Sequence, residues 1–167
     1  MIKYSKILEK GFDFGSIDLL PIEKQLLSLN LHKNKEAKLG KEVSYCHYNV
    51  SSKIRNHLVC ELKNIVDPYL LSIVSKIKQF DAYKTAKEEY FEMHTDSSFG
   101  GLVQIMIYYI EEGLKGRELL YGTEKNINVI KPYTGLVIFC DQLNKTWLHG
   151  TNPLKTNHYN LCITTIV

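Results

Sequence analysis

The sequence has no Cys-x-x-Cys pair, no concentrated basic-aromatic patch, no internal repeat and no low-complexity tract. Each absence closes off a class of function. Its four cysteines, Cys46, Cys60, Cys140 and Cys162, lie far apart, so they read as small buried hydrophobes rather than zinc ligands or disulfides. The opening Met1-Ile2-Lys3-Tyr4-Ser5-Lys6 leads into no long apolar run and no small-residue cleavage site. Neither a secretory leader nor a membrane anchor is expected from it, and a cytoplasmic location follows. Charge of either sign is also nearly balanced. Lys and Arg total 21 against 18 for Asp and Glu, and a net charge of +3 is too small to call for nucleic acid or an acidic membrane as a partner.

What is present is enough for one folded unit. With 167 residues, 44% of them hydrophobic, the chain can bury a substantial core, and a single domain over 1–167 is the expectation. The patterning changes near residue 80. Residues 1–80 read as mainly helical support with one or more strands. Pro21 suits a first helical turn, and Ile22, Leu26 and Leu29 then share one face, predicting a helix over about 21–31. Ser52 is the expected cap of a second helix in which Ile54, Leu58, Leu62 and Ile65 form a stripe. Asp67-Pro68 restarts a third, with Leu70, Leu71, Val74 and Ile77 expected to be buried. The aromatic and β-branched run from Val43 to Val50 reads as a strand. From residue 81 on, short β-rich segments near 89–96, 102–110, 117–121, 126–131, 135–141 and 158–166 are separated by Gly, Pro, Asn or Asp. The fold class predicted is mostly β with α, a double-stranded β-helix (jelly-roll) core over 81–167 buttressed by the N-terminal helices.

One constellation carries chemistry. In Met93-His94-Thr95-Asp96 the two polar side chains are two residues apart, so an extended strand would project both from one face. A further imidazole stands at His149, in Trp147-Leu148-His149-Gly150. Two imidazoles and one carboxylate on one face of an iron ion leave the opposite positions open for other ligands. Singly, each residue is as readily a structural hydrogen-bonding group.

The order of motifs around these residues is more telling. Residues 90–166 contain His94-Thr95-Asp96, the apolar run Val103 to Tyr109, Gly116-Arg117-Glu118-Leu119, Lys131-Pro132-Tyr133-Thr134-Gly135 and His149-Gly150-Thr151-Asn152-Pro153. In this order and spacing they resemble the catalytic core of the 2-oxoglutarate- and iron(II)-dependent oxygenases, in particular the prolyl-hydroxylase-like branch. The resemblance implies His94, Asp96 and His149 as catalytic metal ligands for Fe(II), with 2-oxoglutarate and O2 as cosubstrates. It further implies oxidative decarboxylation to succinate and CO2 coupled to hydroxylation of an unactivated C–H bond. A Gly at the Asp96 position would imply halide binding, so the carboxylate favours hydroxylation or a related oxidation.

The chain departs from the family at one point. The family places an Arg or Lys about ten residues beyond the distal His to hold the far carboxylate of 2-oxoglutarate, whereas the stretch Asn157-His158-Tyr159-Asn160-Leu161 has none. Candidates for that cofactor-binding role are His158, Lys155 and Tyr108. Arg117, at a strand start, is expected to face solvent, and Trp147 to pack in the core or wall the site. The substrate is an amino acid, a protein side chain or another small molecule, and the loop from Ser97 to Gly101 is expected to shape the entrance. Two alternatives stay open. One is a cupin-type metal-binding jelly roll that does not use 2-oxoglutarate; the other is a non-catalytic binding module. No membrane or nucleic-acid partner is indicated, and the oligomeric state is not legible.

Overall fold

The computed structural model describes residues 1–34, 45–96 and 99–167. Local side-chain chemistry sets most of the element ends. Helix α1 (Tyr4–Lys10) stops at Gly11, whose N–H bonds the Ile7 carbonyl from a left-handed conformation, φ 80°. Strand β1 (Phe12–Ser16) follows. The helix expected over 21–31 is shorter. A 3-10 turn (Leu20–Ile22) with Pro21 in its first turn leads into α2 (Glu23–Leu27), and the Ser28 hydroxyl donates to the Lys24 carbonyl at 2.8 Å where the helix closes. After β2 (His32–Lys33) comes β3 (Tyr45–His47), the described part of the strand expected from Val43; residues 43 and 44 lie outside the described residues.

Helix α3 (Ser52–Ile65) is capped one residue earlier than predicted, since Ser51 Oγ, not Ser52, accepts the Ile54 N–H. Helix α4 (Pro68–Val74) is capped by the Asp67 carboxylate, which accepts the N–H groups of Leu70 at 2.9 Å and Tyr4 at 2.7 Å. One side chain thus caps α4 and ties down the start of α1. Leu71, expected in the core, is 39% exposed, and Ile73 is buried instead. The helical stripe runs through Leu70, Ile73, Val74 and Ile77, and Leu71 falls beside it.

The remaining strands are β4 (Asp81–Lys84), β5 (Val103–Ile110), β6 (Leu119–Thr123), β7 (Asn126–Ile130), β8 (Leu136–Asp141), β9 (Leu148–Thr151) and β10 (Asn160–Ile166). Five of them match predicted segments. The segment near 89–96 is not a strand and makes only the isolated bridge between His94 and His149. Its charged approach, Lys87-Glu88-Glu89, turns through Glu88 at φ 67°, and β4, unread in the sequence, lies beside β10 in the sheet.

All sheet pairings are antiparallel. Seven strands run in the order β1-β8-β5-β10-β4-β3-β2, and three in the order β7-β6-β9. Alternation along the central strands sorts side chains into two clusters. Ile105, Ile107, Val137, Phe139, Leu161 and Ile163 join Ile54, Leu58 and Leu62 of α3 and Leu70 and Val74 of α4. Met106, Tyr108, Ile138 and Cys140 on the opposite face meet Leu119 and Tyr121 of β6. A strand buried on both faces is apolar throughout, which is why β5 and β8 read as continuous hydrophobic runs. Of the cysteines, Cys46 and Cys140 are buried but Cys60 is exposed. Among the described residues no helix is long and apolar enough to cross a membrane.

Leu58 is fully buried where α3 joins the larger cluster, so Leu58→Ala should destabilise the fold by about 2–5 kcal/mol in denaturant unfolding. Leu71→Ala, at an exposed helical position, should change stability by about 0.5 kcal/mol or less.

Candidate metal centre

A glycine sets the geometry of the site. Gly150, next to His149 on β9, has no side chain where a Cβ would come within 2.9 Å of the Phe91 carbonyl oxygen. Residues 91–94 therefore lie close along β9. Thr151 N–H bonds Phe91 O at 3.0 Å, and His94 and His149 exchange both backbone hydrogen bonds at 2.9 Å. In a directly opposed pair of this kind the two side chains leave the same face. The imidazole centroids are 4.4 Å apart, and Asp96, two residues on, turns its carboxylate between them.

His94 Nε2 lies 3.4 Å from Asp96 Oδ1, and His149 Nε2 lies 3.3 Å from Asp96 Oδ2. One potential ligand atom from each of the three residues falls within 4.8 Å of the others, a spacing that could hold a metal ion. His94 Nδ1 donates to the Glu92 carbonyl at 2.6 Å, which puts the lone pair of the neutral ring on Nε2, facing the carboxylate. A lone pair set against a carboxylate oxygen is repulsive, and a cation between them resolves the conflict. Without a metal, a proton on Nε2 takes the cation's place: burial works to raise the Asp96 carboxyl, but the hydrogen bonds and charge that His149 and His94 then supply outweigh it and hold the group well below the usual carboxylate range. Burial pushes the His149 imidazole down towards its neutral form, against the pull of Asp96. An ionised carboxylate beside neutral imidazoles is the protonation state that a divalent metal requires. The donor set fits such an ion.

Behind Asp96 stands a chain of amides that the sequence did not reveal. Gln104 Nε2 donates to Asp96 Oδ2 at 2.8 Å, and Gln142 Nε2 donates to Gln104 Oε1 at 3.2 Å. Both glutamines are buried. Gln104 sits in the apolar run of β5, and a polar residue inside such a run was the signal available. Tyr121 of β6 stacks on the His149 ring with centroids 6.0 Å apart and shares a 3.4 Å hydroxyl contact with Tyr108.

The three residues line a cavity of about 670 Å³, within the range of small-molecule sites, together with Met106, Tyr108 and Tyr121. Of the cofactor-binding candidates from the sequence, Tyr108 lines this cavity; His158 and Lys155 are not among its walls, and Lys155 is exposed. Arg117 corrects an expectation. Predicted to face solvent, it is 1% exposed and lines the cavity. The turn before β6 explains the inversion. Gly116 at φ 79° leaves no room for a Cβ, which would meet the Pro153 carbonyl, and Arg117 continues the left-handed backbone at φ 57°. That conformation costs a non-glycine residue about 1 kcal/mol and redirects the side chain inwards. Trp147 packs across Gly11, where a Cβ would overlap its ring, and so has the packing role expected of it.

The comparisons with known proteins find a likeness in fold alone. No family model matches the sequence, and no curated protein does. Among solved structures, a Pseudomonas putida prolyl-4-hydroxylase superposes with a TM-score of 0.69 at 10% identity, over 98% of this chain and 96% of its own. An oxidoreductase of the 2OG-Fe(II) oxygenase family from Burkholderia pseudomallei gives 0.67 at 12% identity, over 96% of this chain and 86% of its own. The chain has the jelly-roll fold of the 2OG-Fe(II) oxygenases. A viral collagen prolyl hydroxylase from Paramecium Bursaria Chlorella virus-1, solved as its 2OG complex, shares this oxygenase fold, with a TM-score of 0.60 at 17% identity over 93% of this chain and 94% of its own.

Cobalt(II) should raise the melting temperature of the metal-free protein. Replacing the amide that orients Asp96, in Gln104→Leu, should weaken cobalt binding about 10- to 100-fold in a titration. Unchanged affinity would show that the contact does not orient the carboxylate.

Proposed function

We propose that the protein is an iron(II)- and 2-oxoglutarate-dependent oxygenase that hydroxylates or otherwise oxidises an unactivated C–H bond. Its substrate is an amino acid, a protein side chain or a small molecule, and it acts in the cytoplasm. The observation that carries this reading is the convergence of His94, Asp96 and His149 on the wall of a cavity of about 670 Å³ in an oxygenase fold. When bound there, iron(II) supplies the redox chemistry with O2 and 2-oxoglutarate that no side chain of the chain possesses.

The protein's own share is binding and orientation. His94, Asp96 and His149 are the metal ligands in this reading, and three ligands on one face leave the opposite face accessible from the cavity. Glu92 holds the His94 ring in its Nε2-basic tautomer, while Gln104 and Gln142 keep the Asp96 carboxylate turned towards both imidazoles. Met106 and the rings of Tyr108 and Tyr121 exclude water from the inner wall. The N-terminal helices, sharing one apolar cluster with the major sheet, buttress the surface on which the site is built.

Anaerobic addition of 2-oxoglutarate to the iron(II)-loaded protein should produce the weak visible metal-to-ligand charge-transfer band of a keto-acid chelate. His94→Ala and His149→Ala should each lose iron while keeping the folded circular-dichroism spectrum. Iron binding without the band would favour a cupin-type centre that does not use 2-oxoglutarate, and full iron loading in both variants would remove the proposed ligand set.

A further inference from the structure

The last strand offers no cation where the oxygenase resemblance leads one to expect it. In that stretch Asn160 is fully buried at the head of β10 and presents an amide. Its Oδ1 accepts a hydrogen bond from Arg117 Nη1 at 2.6 Å, while its Nδ2 donates to the carbonyls of Thr85 at 2.9 Å and His158 at 3.2 Å. The guanidinium arrives from the turn before β6, on the opposite sheet, and is held in place by the strand that lacks one.

Among the described residues, no acid is paired with this charge. Arg117 is 1% exposed, its Nε is buried without a partner, and among the described residues no carboxylate lies within 4 Å of it. Glu89 is a carboxylate with longer-range influence, and it already accepts the Ala86 N–H at 2.7 Å. A permanent cation buried against one neutral amide is strongly unfavourable unless an anion completes it. The left-handed backbone at Arg117 adds strain to the same residue. Its planar fork of N–H groups matches a carboxylate, and it borders the cavity that holds the His94, Asp96 and His149 cluster. Cys162 lines the same cavity as Arg117 and Asp96.

We infer that Arg117, positioned by Asn160, holds the distal carboxylate of a dicarboxylic keto acid whose other end reaches the metal cluster. The identity of that ligand rests on the oxygenase reading; the buried anion site does not. The guanidinium has moved from the last strand to the start of β6, so the fold keeps a dicarboxylate pocket by a different route. Lys155 and His158 have no part in it.

The test compares 2-oxoglutarate with 2-oxobutyrate, which has the same keto acid head but no distal carboxylate. Both are titrated anaerobically into iron(II)-loaded wild type and Arg117→Gln. The wild type should prefer 2-oxoglutarate by about 100-fold, and the variant by about threefold or less, with iron affinity unchanged. Lys155→Ala should keep the wild-type preference. Arg117→Lys, which retains charge without the fork, should retain about tenfold, and it carries the test should the glutamine variant not fold. Without ligand, Arg117→Gln should melt no lower than wild type, because it removes an uncompensated buried charge. A preference that survives in the variants, or is absent from the wild type, overturns the inference. Should neither keto acid perturb the iron in wild type, the oxygenase reading fails. Metal-free protein with glutarate then decides the anion site: stabilisation in wild type that is lost in Arg117→Gln upholds it, and no stabilisation in wild type overturns it as well.

Discussion

The site depends first on a short backbone contact, the mutual hydrogen bonding of His94 and His149 across the ledge that Gly150 opens on β9. Every other feature of the cluster follows from it. Opposed residues share a face, so pairing these two histidines brings the imidazoles together and leaves Asp96 to close the triangle. The segment is not itself a strand, and backbone hydrogen bonds to β9 place Phe91 and His94. A side chain at 150 would push it away from β9 and separate the three candidate ligands before any of them was altered.

The sandwich around this contact explains why the ledge is rigid. β5, β8 and β10 present alternate residues to a helix-backed cluster and to the small sheet, so neither face can slide without exposing apolar surface. Gln104 and Gln142 exploit the same rigidity from the ends of buried strands. Gln104 donates to Asp96 and Gln142 donates to Gln104, and this relay, anchored at β5 and just past the close of β8, constrains the direction of the carboxylate more tightly than a mobile loop would.

Much of this was legible from residue order, and the misses share a physical cause. The His-x-Asp pair, the distal His149 and the strands β5, β7, β8 and β10 announced themselves by spacing or by period. The support beneath His94 and Asp96 did not, because convergence came from pairing with β9 rather than from their own extended backbone, and both routes give the same two-residue spacing. Ser51 rather than Ser52 caps α3 since either serine satisfies the rule and only the backbone turn selects between them. β4 went unread because Asp81-Ala82-Tyr83-Lys84 is too short to show alternation. Arg117 was misplaced for the opposite reason. General chemistry sends arginines to solvent, and only the left-handed pair Gly116 and Arg117 turns this one inwards.

That inversion bears on how the cavity selects its contents. A ligand set with ionised carboxylate and neutral imidazoles binds one divalent cation and is left with a net positive charge of about one, which suits an anionic chelating head. Arg117 places a second positive charge on the same cavity, whose described walls carry Tyr108, Tyr121, Met106 and Cys162 and, besides Asp96, the carboxylate of Asp81. Two cationic points on one cavity reinforce each other's field, so on the proposed reading it suits a short molecule with an anionic group at each end. In the proposed dicarboxylate pocket the second charge gains the anionic partner that its burial demands. Arg117 is thus the residue at which the proposed reading and its alternatives make different electrostatic demands.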